Sequence, residues 1–261
     1  MAMTTALLLP LMLARVHSIW TEEPLSTSAD LAKRTVFLGI AMPDAVDRLS
    51  SFMDKMAHGD THYEIVPGTN ISTINLKHLQ RVGRVDVKHY TRPSMIYNEL
   101  ATTFAHRDAI ARFMKSDYDY GVIFEDDAQM VEGTFSMTTG QEKATLIDAI
   151  GAIMEKLPEE WHEVNLGRCE AYCNLEKDMV EISKKSFLTT QNGWCAHAYL
   201  LSKKGARKLF ELLSDNITAS NDKIKRMNKD VFERFSVSPR LFDQSGRCGV
   251  NGCGPIGECA D

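Results

Sequence analysis

Positive charge is the first thing this 261-residue chain lacks: 30 Lys and Arg stand against 35 Asp and Glu, a formal net charge of -5. A nucleic-acid partner, held chiefly through phosphate contacts to Lys and Arg, is therefore not expected. Small anions are not excluded, because a bound cation or a helix N-terminus can hold a nucleotide diphosphate inside an acidic protein. The chain has no glycine-rich phosphate loop and no Lys-bearing P-loop sequence, which disfavours a nucleotidyl- or phosphotransferase on a similar α/β sheet. Its six cysteines form no Cys-x-x-Cys pair and no Cys/His spacing of a firm zinc site. Internal repeats and low-complexity tracts are absent. Long apolar runs are scarce as well: Ala6 to Ala14 is nine residues, too short to span a bilayer but suited to a signal-peptide core. Residues 1–18 are accordingly expected to be a signal peptide or short signal-anchor, although Met1 to Thr5 carries no Lys or Arg. No other membrane-spanning helix is expected.

What is present has the make-up of an ordinary globular protein, 44% apolar and 25% charged, and one α/β domain is the economical reading. Two sequons, Asn70-Ile71-Ser72 and Asn216-Ile217-Thr218, together with the cysteines, lean toward the endoplasmic reticulum or Golgi lumen, or secretion. Residues 19–34 are polar and read as a linker, residues 35–245 as the folded domain, and residues 246–261 as a Cys/Gly-rich tail. In an oxidising lumen that tail, with Cys248, Cys253 and Cys259, is expected to be stapled to Cys195 or to the Cys169/Cys173 pair.

Periodicity sketches the domain. Val36 to Ile40 suits a buried strand, and Val46, Leu49, Met53 and Met56 follow at helical steps. Tyr63 to Val66 reads as the next strand, closed by Pro67-Gly68. A helix is expected from Glu99 to Lys115, then a strand from Gly121 to Phe124. Another helix carries Leu146, Ile150, Ile153 and Leu157, stopped by Pro158. Val164 to Leu166 and Ala196 to Leu201 are strand-like, and Ser202 is placed to cap a helix with Ala206, Leu209, Phe210 and Leu213 on one face. Strands alternating with helices argue for a doubly wound sheet with ligands at the C-terminal strand ends.

The sharpest chemical signal is Tyr120 to Ala128, where a buried-type strand runs straight into Glu125, Asp126 and Asp127. Three adjacent carboxylates repel one another unless a hard cation neutralises them, and carboxylates plus substrate phosphates are the usual ligands of Mg²⁺ or Mn²⁺. A solvated acidic turn is the plain alternative.

The surrounding residues resemble glycosyltransferase family 25. Phe104-Ala105-His106-Arg107-Asp108-Ala109-Ile110, followed by Val122 to Ala128, looks like the family's Ser-His helix and Glu-Asp-Asp turn, with Ala105 in place of the Ser. Trp161 to Gly167 is similar to its Trp-Asp-x-x-x-Leu-Gly strand, with His162 replacing the Asp, and Ala198-Tyr199 through Ser202 to Gly205-Ala206 matches its strand-to-helix junction. Ser238-Pro239 and Phe242-Asp243-Gln244-Ser245 resemble its C-terminal end. Arg48 corresponds to the family's early Asp-Arg, while the Asn-Leu-Asp that usually follows strand one is absent.

The resemblance implies a GT-A type nucleotide-diphospho-sugar transferase fold, a single doubly wound mixed sheet with flanking helices. It implies transfer of a hexose, galactose from UDP-galactose, to a protein or glycan hydroxyl with inversion, using Mn²⁺ or Mg²⁺ held by Asp126 and Asp127. Donor contacts are then expected from Arg48, His106, Arg107, Glu125, Asp126 and His197. A carboxylate must accept the hydroxyl proton; Asp222 is the nearest match to the family's Asp, without the Pro-Val that normally precedes it, and Asp230 is the fallback. Each has a plainer reading. His106 shares a helical stripe with Ile110 and Phe113, as a core histidine would. Arg107 is equally a surface ion-pair residue, His197 a structural residue of its strand, and both Asp residues are plain solvated carboxylates. The altered motifs leave a second function open, a non-catalytic sugar- or protein-binding module on the same fold.

Overall fold

The structure, a computed structural model, describes residues 27–57, 59–90, 93–169, 179–190 and 194–244. The expected leader, the first half of the linker (residues 19–26), Cys173 and the Cys/Gly-rich tail lie outside the described residues.

The linker expectation is corrected at its C-terminal end. Ser28–Arg34 forms a helix, α1, begun by Thr27, whose hydroxyl accepts from Asp30 N. Leu31 and Ala32 are buried in the core, so the domain begins before Thr35. All seven residues of β1 (Thr35–Ala41) are buried, and they alternate between two cores. Phe37 and Ala41 face one; Val36, Leu38 and Ile40 face the other. A strand covered on both faces reads as a continuous apolar run, as this one does. α2 (Val46–Met56) buries Leu49, Met53 and Met56. β2 (His62–Pro67) and α3 (Leu76–Arg81) precede α4 (Ile96–Lys115) and β3 (Tyr120–Glu125).

β4 (Ala128–Met130), α5 (Thr134–Thr139), α6 (Leu146–Met154) and β5 (Glu163–Asn165) follow. α6 stops short of Leu157 because the chain tightens at its end, where Leu157 N donates to the Met154 carbonyl. β6 (Val180–Ser183), β7 (Ser186–Thr190), β8 (Ala198–Ser202), α7 (Lys203–Ser214), α8 (Asn221–Met227), β9 (Arg234–Ser238) and β10 (Phe242–Gln244) complete the order. Eight strands form one sheet in the order β2-β1-β3-β8-β5-β9-β7-β6. β1 is parallel to β2 and β3, and β5 to β9, whereas β8 runs antiparallel to β3 and β5. The architecture is thus the expected mixed α/β sheet with flanking helices. α1, α2, α5 and α6 cover one face, and α4, α7 and α8 the other. Burying each large apolar side chain, such as Phe37, Phe124 or Leu200, stabilises the fold by roughly 1.5–3 kcal/mol.

The junction from β8 to α7 shows why its residues are what they are. Ser202 accepts from Gly205 N at 2.9 Å and so caps α7. A Cβ at Gly205 would lie 1.9 Å from the His162 carbonyl oxygen, so only glycine fits. Lys203 Nζ donates to the carbonyls of Phe113, Ser116 and Tyr118 at 2.7, 2.7 and 2.9 Å. One ammonium thereby gathers three carbonyls at and just beyond the end of α4.

Cys169, just past β5, is joined to Cys195, just before β8. Neither is open to a tail cysteine, which corrects the expectation for Cys195 and Cys169; a pairing of the tail with Cys173 lies outside the described residues.

Candidate active site

Glu125 sits at the carboxyl end of β3, beside Ile40 of β1, and its N–H donates to the His197 carbonyl at 2.9 Å. Immediately beyond, β4 pairs antiparallel with β10, Ala128 opposite Gln244. Asp126 and Asp127 therefore occupy a turn fixed at both ends, one in the main sheet and one in a two-stranded ribbon. Gln244 Nε2 donates to Asp127 Oδ2 at 2.7 Å. Arg48, from α2, donates to the Asp126 carbonyl at 3.3 Å and lies 3.8 Å from its Oδ2. With its side chain 67% exposed, Arg48 makes a weak, solvent-screened pair.

His106 is fully buried, with Nε2 2.8 Å from Glu125 Oε1 and Nδ1 2.8 Å from the Tyr199 hydroxyl. A carboxylate can only accept, so Nε2 carries the proton, and in the neutral ring Nδ1 accepts from the Tyr199 O–H. Burial, then Glu163 and Glu125, push the Tyr199 phenol well above its ordinary range, so it stays a donor. Lys225 Nζ stands 3.6 Å from the centre of the Tyr199 ring and 2.6 Å from Glu163 Oε2; Arg234 Nε donates to Glu163 Oε1 at 2.8 Å. All three charges are buried. Burial pulls the Lys225 pKa down, and Glu163 opposes the shift. His106 is thus both a core histidine and the residue that holds Glu125.

Two cavities meet at this turn. The first, about 430 Å³, lies at the carboxyl ends of β1, β2 and β3, with Ile40, Gly68, Asn70, His106, Glu125 and Asp126 in its wall. Ala105 lines it too, so the hydroxyl that the family resemblance expects there is missing from the wall itself. The second, about 420 Å³, is lined by Asn98, Glu125, Asp127, Cys195, Asp222 and Gln244, among others. Met95, Asn98, Thr102 and Glu125 border both. Asp222 reaches the second cavity from α8, and its Oδ1 accepts from the Ser220 hydroxyl and Lys223 N at 2.7 and 2.8 Å.

Three expected site residues are placed elsewhere. Arg107 lies over the Phe104 ring at 5.0 Å, 3.4 Å from Asp108, and lines neither cavity. One residue step along α4 turns it away from the stripe that carries His106. His197 is only 1% exposed, packed so closely over Gly167 that a Cβ there would sit 2.2 Å from its Nε2. It packs behind the site and lines neither cavity. Burial pulls its pKa below the ordinary value, with Glu125 the largest opposing influence. Asp230 is exposed beyond α8 and lines neither cavity.

Among the described residues the three carboxylates of the turn do not gather into a three-ligand cage. One or two hard oxygen ligands from Asp126 and Asp127, completed by diphosphate oxygens, are nevertheless what Mg²⁺ or Mn²⁺ takes. The donor set fits such an ion. Sequence reasoning missed Tyr199 and Asn98 as parts of the site, and Gln244 as the partner of Asp127. Tyr199 and Gln244 stood within motif-like segments, but nothing local told their contacts.

Several solved structures resemble the chain. A mutant of Drosophila β1,4-galactosyltransferase 7, in complex with manganese, UDP-Gal and xylobiose, is 9% identical, with 82% of this chain and 72% of that one covered and a TM-score of 0.39. The apo form of the glycosyltransferase GlyE of Streptococcus pneumoniae is 14% identical over 78% of this chain and 45% of that one, with a TM-score of 0.36. The inositol-1-phosphate CTP transferase of T. maritima is 10% identical over 82% and 89%, with a TM-score of 0.34. No curated protein matches the chain. The family is settled instead by sequence: the model of glycosyltransferase family 25, described as an LPS biosynthesis protein, matches residues 35–225. The chain, with its buried strand ending in Glu125-Asp126-Asp127, belongs to glycosyltransferase family 25.

Proposed function

We propose that this transferase moves a hexose, galactose from UDP-galactose, onto a hydroxyl of a protein or glycan acceptor with inversion at the anomeric carbon. The observation that carries the reading is the meeting of the two cavities at Glu125, with Asp126 in one wall and Asp127 and Asp222 in the other. The first cavity, at the strand ends, suits the nucleotide; the second suits the acceptor. Asp126 and Asp127 would hold a divalent cation, Mn²⁺ or Mg²⁺, which supplies Lewis-acid stabilisation of the departing diphosphate.

Asp222 is the base in this reading. Ser220 and Lys223 N hold its Oδ1, leaving Oδ2 to take the acceptor's proton. The acceptor oxygen then bonds to the anomeric carbon as the carbon–oxygen bond to UDP breaks, and the electron pair leaves with the diphosphate. His106, held by Tyr199, keeps Glu125 oriented between the cavities. The Cys169–Cys195 disulfide supports placing the enzyme in an oxidising lumen or outside the cell.

The test is UDP release from a panel of UDP-sugars with and without Mn²⁺, for the wild type, Asp222→Asn and Asp127→Asn. Asp222→Asn is expected to lose about 10²–10⁴-fold in turnover while keeping UDP affinity. Asp127→Asn is expected to lose both cation affinity and turnover while remaining folded. Unchanged turnover in both variants would reject the assignment. The alternative is a non-catalytic sugar- or protein-binding module, favoured by Ala105 in the cavity wall; a flat response to every donor would support it.

A further inference from the structure

The cysteines have no zinc-site spacing in the sequence, yet the fold brings two of them to a buried histidine. Cys169, Cys195 and His197 each offer a ligand atom, and these atoms all lie within 4.8 Å of one another. His197 Nε2 faces the Phe242 carbonyl at 3.4 Å, so that nitrogen carries the ring proton. The lone pair is then on Nδ1, which is buried and has no hydrogen-bond partner. A histidine that donates one ring N–H to a backbone carbonyl and keeps the other nitrogen bare is arranged as metal-bound histidines are.

The backbone around the two cysteines is held independently of the bond between them. Cys169 N donates to the Trp194 carbonyl at 3.2 Å. The Asn165 amide donates to the carbonyls of Trp194 and Cys195 at 3.3 and 3.0 Å. Opening the disulfide therefore does not by itself scatter the pair, whose Cα atoms are 5.7 Å apart.

We propose that, once the Cys169–Cys195 disulfide is reduced, the two sulfurs and a ring nitrogen of His197 form a site for a thiophilic divalent cation, with zinc as the type. A dithiol reductant supplies two electrons and two protons, breaking the S–S bond and becoming a disulfide itself. Binding of Zn²⁺ then displaces both thiol protons, and the two thiolates balance the charge of the ion. Zinc–sulfur bonds of about 2.3 Å in a tetrahedron set the sulfurs about 3.8 Å apart, a separation that side-chain rotation can supply. Water completes the coordination. Cys195 lines the second cavity, so disulfide and metal are two alternative fillings of one wall. The site is distinct from the carboxylate turn, being soft where that is hard.

The test uses the full chain and Co²⁺ as a spectroscopic probe, with the ion removed from solution by gel filtration after loading. The reduced wild type is expected to retain about one Co²⁺ more per chain than the Cys169→Ser/Cys195→Ser double variant, with sulfur-to-cobalt charge-transfer absorption. The comparison subtracts any contribution of the other four cysteines. The oxidised wild type is expected to lack this increment. In the reduced chain, His197→Gln should weaken Co²⁺ binding at least about tenfold. Equal Co²⁺ retention by the reduced wild type and the double variant would overturn the proposal. If the double variant does not fold, unchanged Co²⁺ affinity in reduced His197→Gln overturns it instead.

Discussion

The two halves of the main sheet are stabilised by different physics. β2, β1 and β3 are parallel, and β1 and β3 are packed almost wholly by apolar side chains such as Phe37, Leu38, Val122 and Ile123. β5, β9 and β7 bury Glu163, Asn165, Arg234, Ser236, Ser238, Ser186 and Thr189 beside Val164, Leu188, Phe235 and Val237. The apolar half carries its stability diffusely, through burial and dispersion, and tolerates small losses. The polar half concentrates it in few contacts. Its Lys225–Glu163–Arg234 group is at once a stabilising and a vulnerable element, because each charge is tolerable only while the others remain.

Breaking that group is the strongest test of the contrast. Glu163→Gln keeps the shape of the side chain but removes the buried carboxylate charge that Lys225 and Arg234 share. It is expected to cost about 3–5 kcal/mol in denaturant unfolding. Ile123→Val removes one methylene from the fully buried apolar half and is expected to cost about 1 kcal/mol in the same assay. Equal losses for the two would erase the distinction between the halves.

The smallest expected effect sharpens the border of the polar half. His162 Nδ1 accepts from Glu233 N at 2.8 Å, and burial pulls the ring's pKa below its ordinary value of 6.5. Above that value the ring is neutral in both the folded and unfolded states, and its contribution is complete. As pH falls below it the unfolded chain takes the proton first, so the contribution declines. The difference in Tm between the wild type and His162→Gln should therefore narrow from pH 7.5 to pH 5.5. A widening gap would contradict the sign.

The same contrast decides what could be read from the residues alone. β1, α2, α4, β3 and α7 were legible because apolar periodicity is the signature of burial. β9 was not: Arg234-Phe235-Ser236-Val237-Ser238 alternates like a half-exposed strand, yet all five residues are buried. Its partners are distant in sequence: Arg234 donates to Glu163, and the Ser236 carbonyl accepts from the Thr189 hydroxyl. At the candidate site, Glu125, Asp127, His106 and Asp222, singled out by residue type and motif order, line the two cavities. Arg107 and His197 line neither cavity, because which way a side chain points depends on packing that no motif records. α1 was read as linker because seven residues offer too little periodicity to outweigh a polar surround.

The family match ends at residue 225, but the sheet does not. β9 is inserted between β5 and β7, and β10 returns to clasp the strand that follows the acidic turn. A chain shortened to the matched segment would split the sheet along its polar half and leave Glu163 without Arg234. It would also take Gln244 from Asp127. In this protein the boundary of sequence similarity and the boundary of the packed strands are different places, and the second lies at least as far along the chain as Gln244.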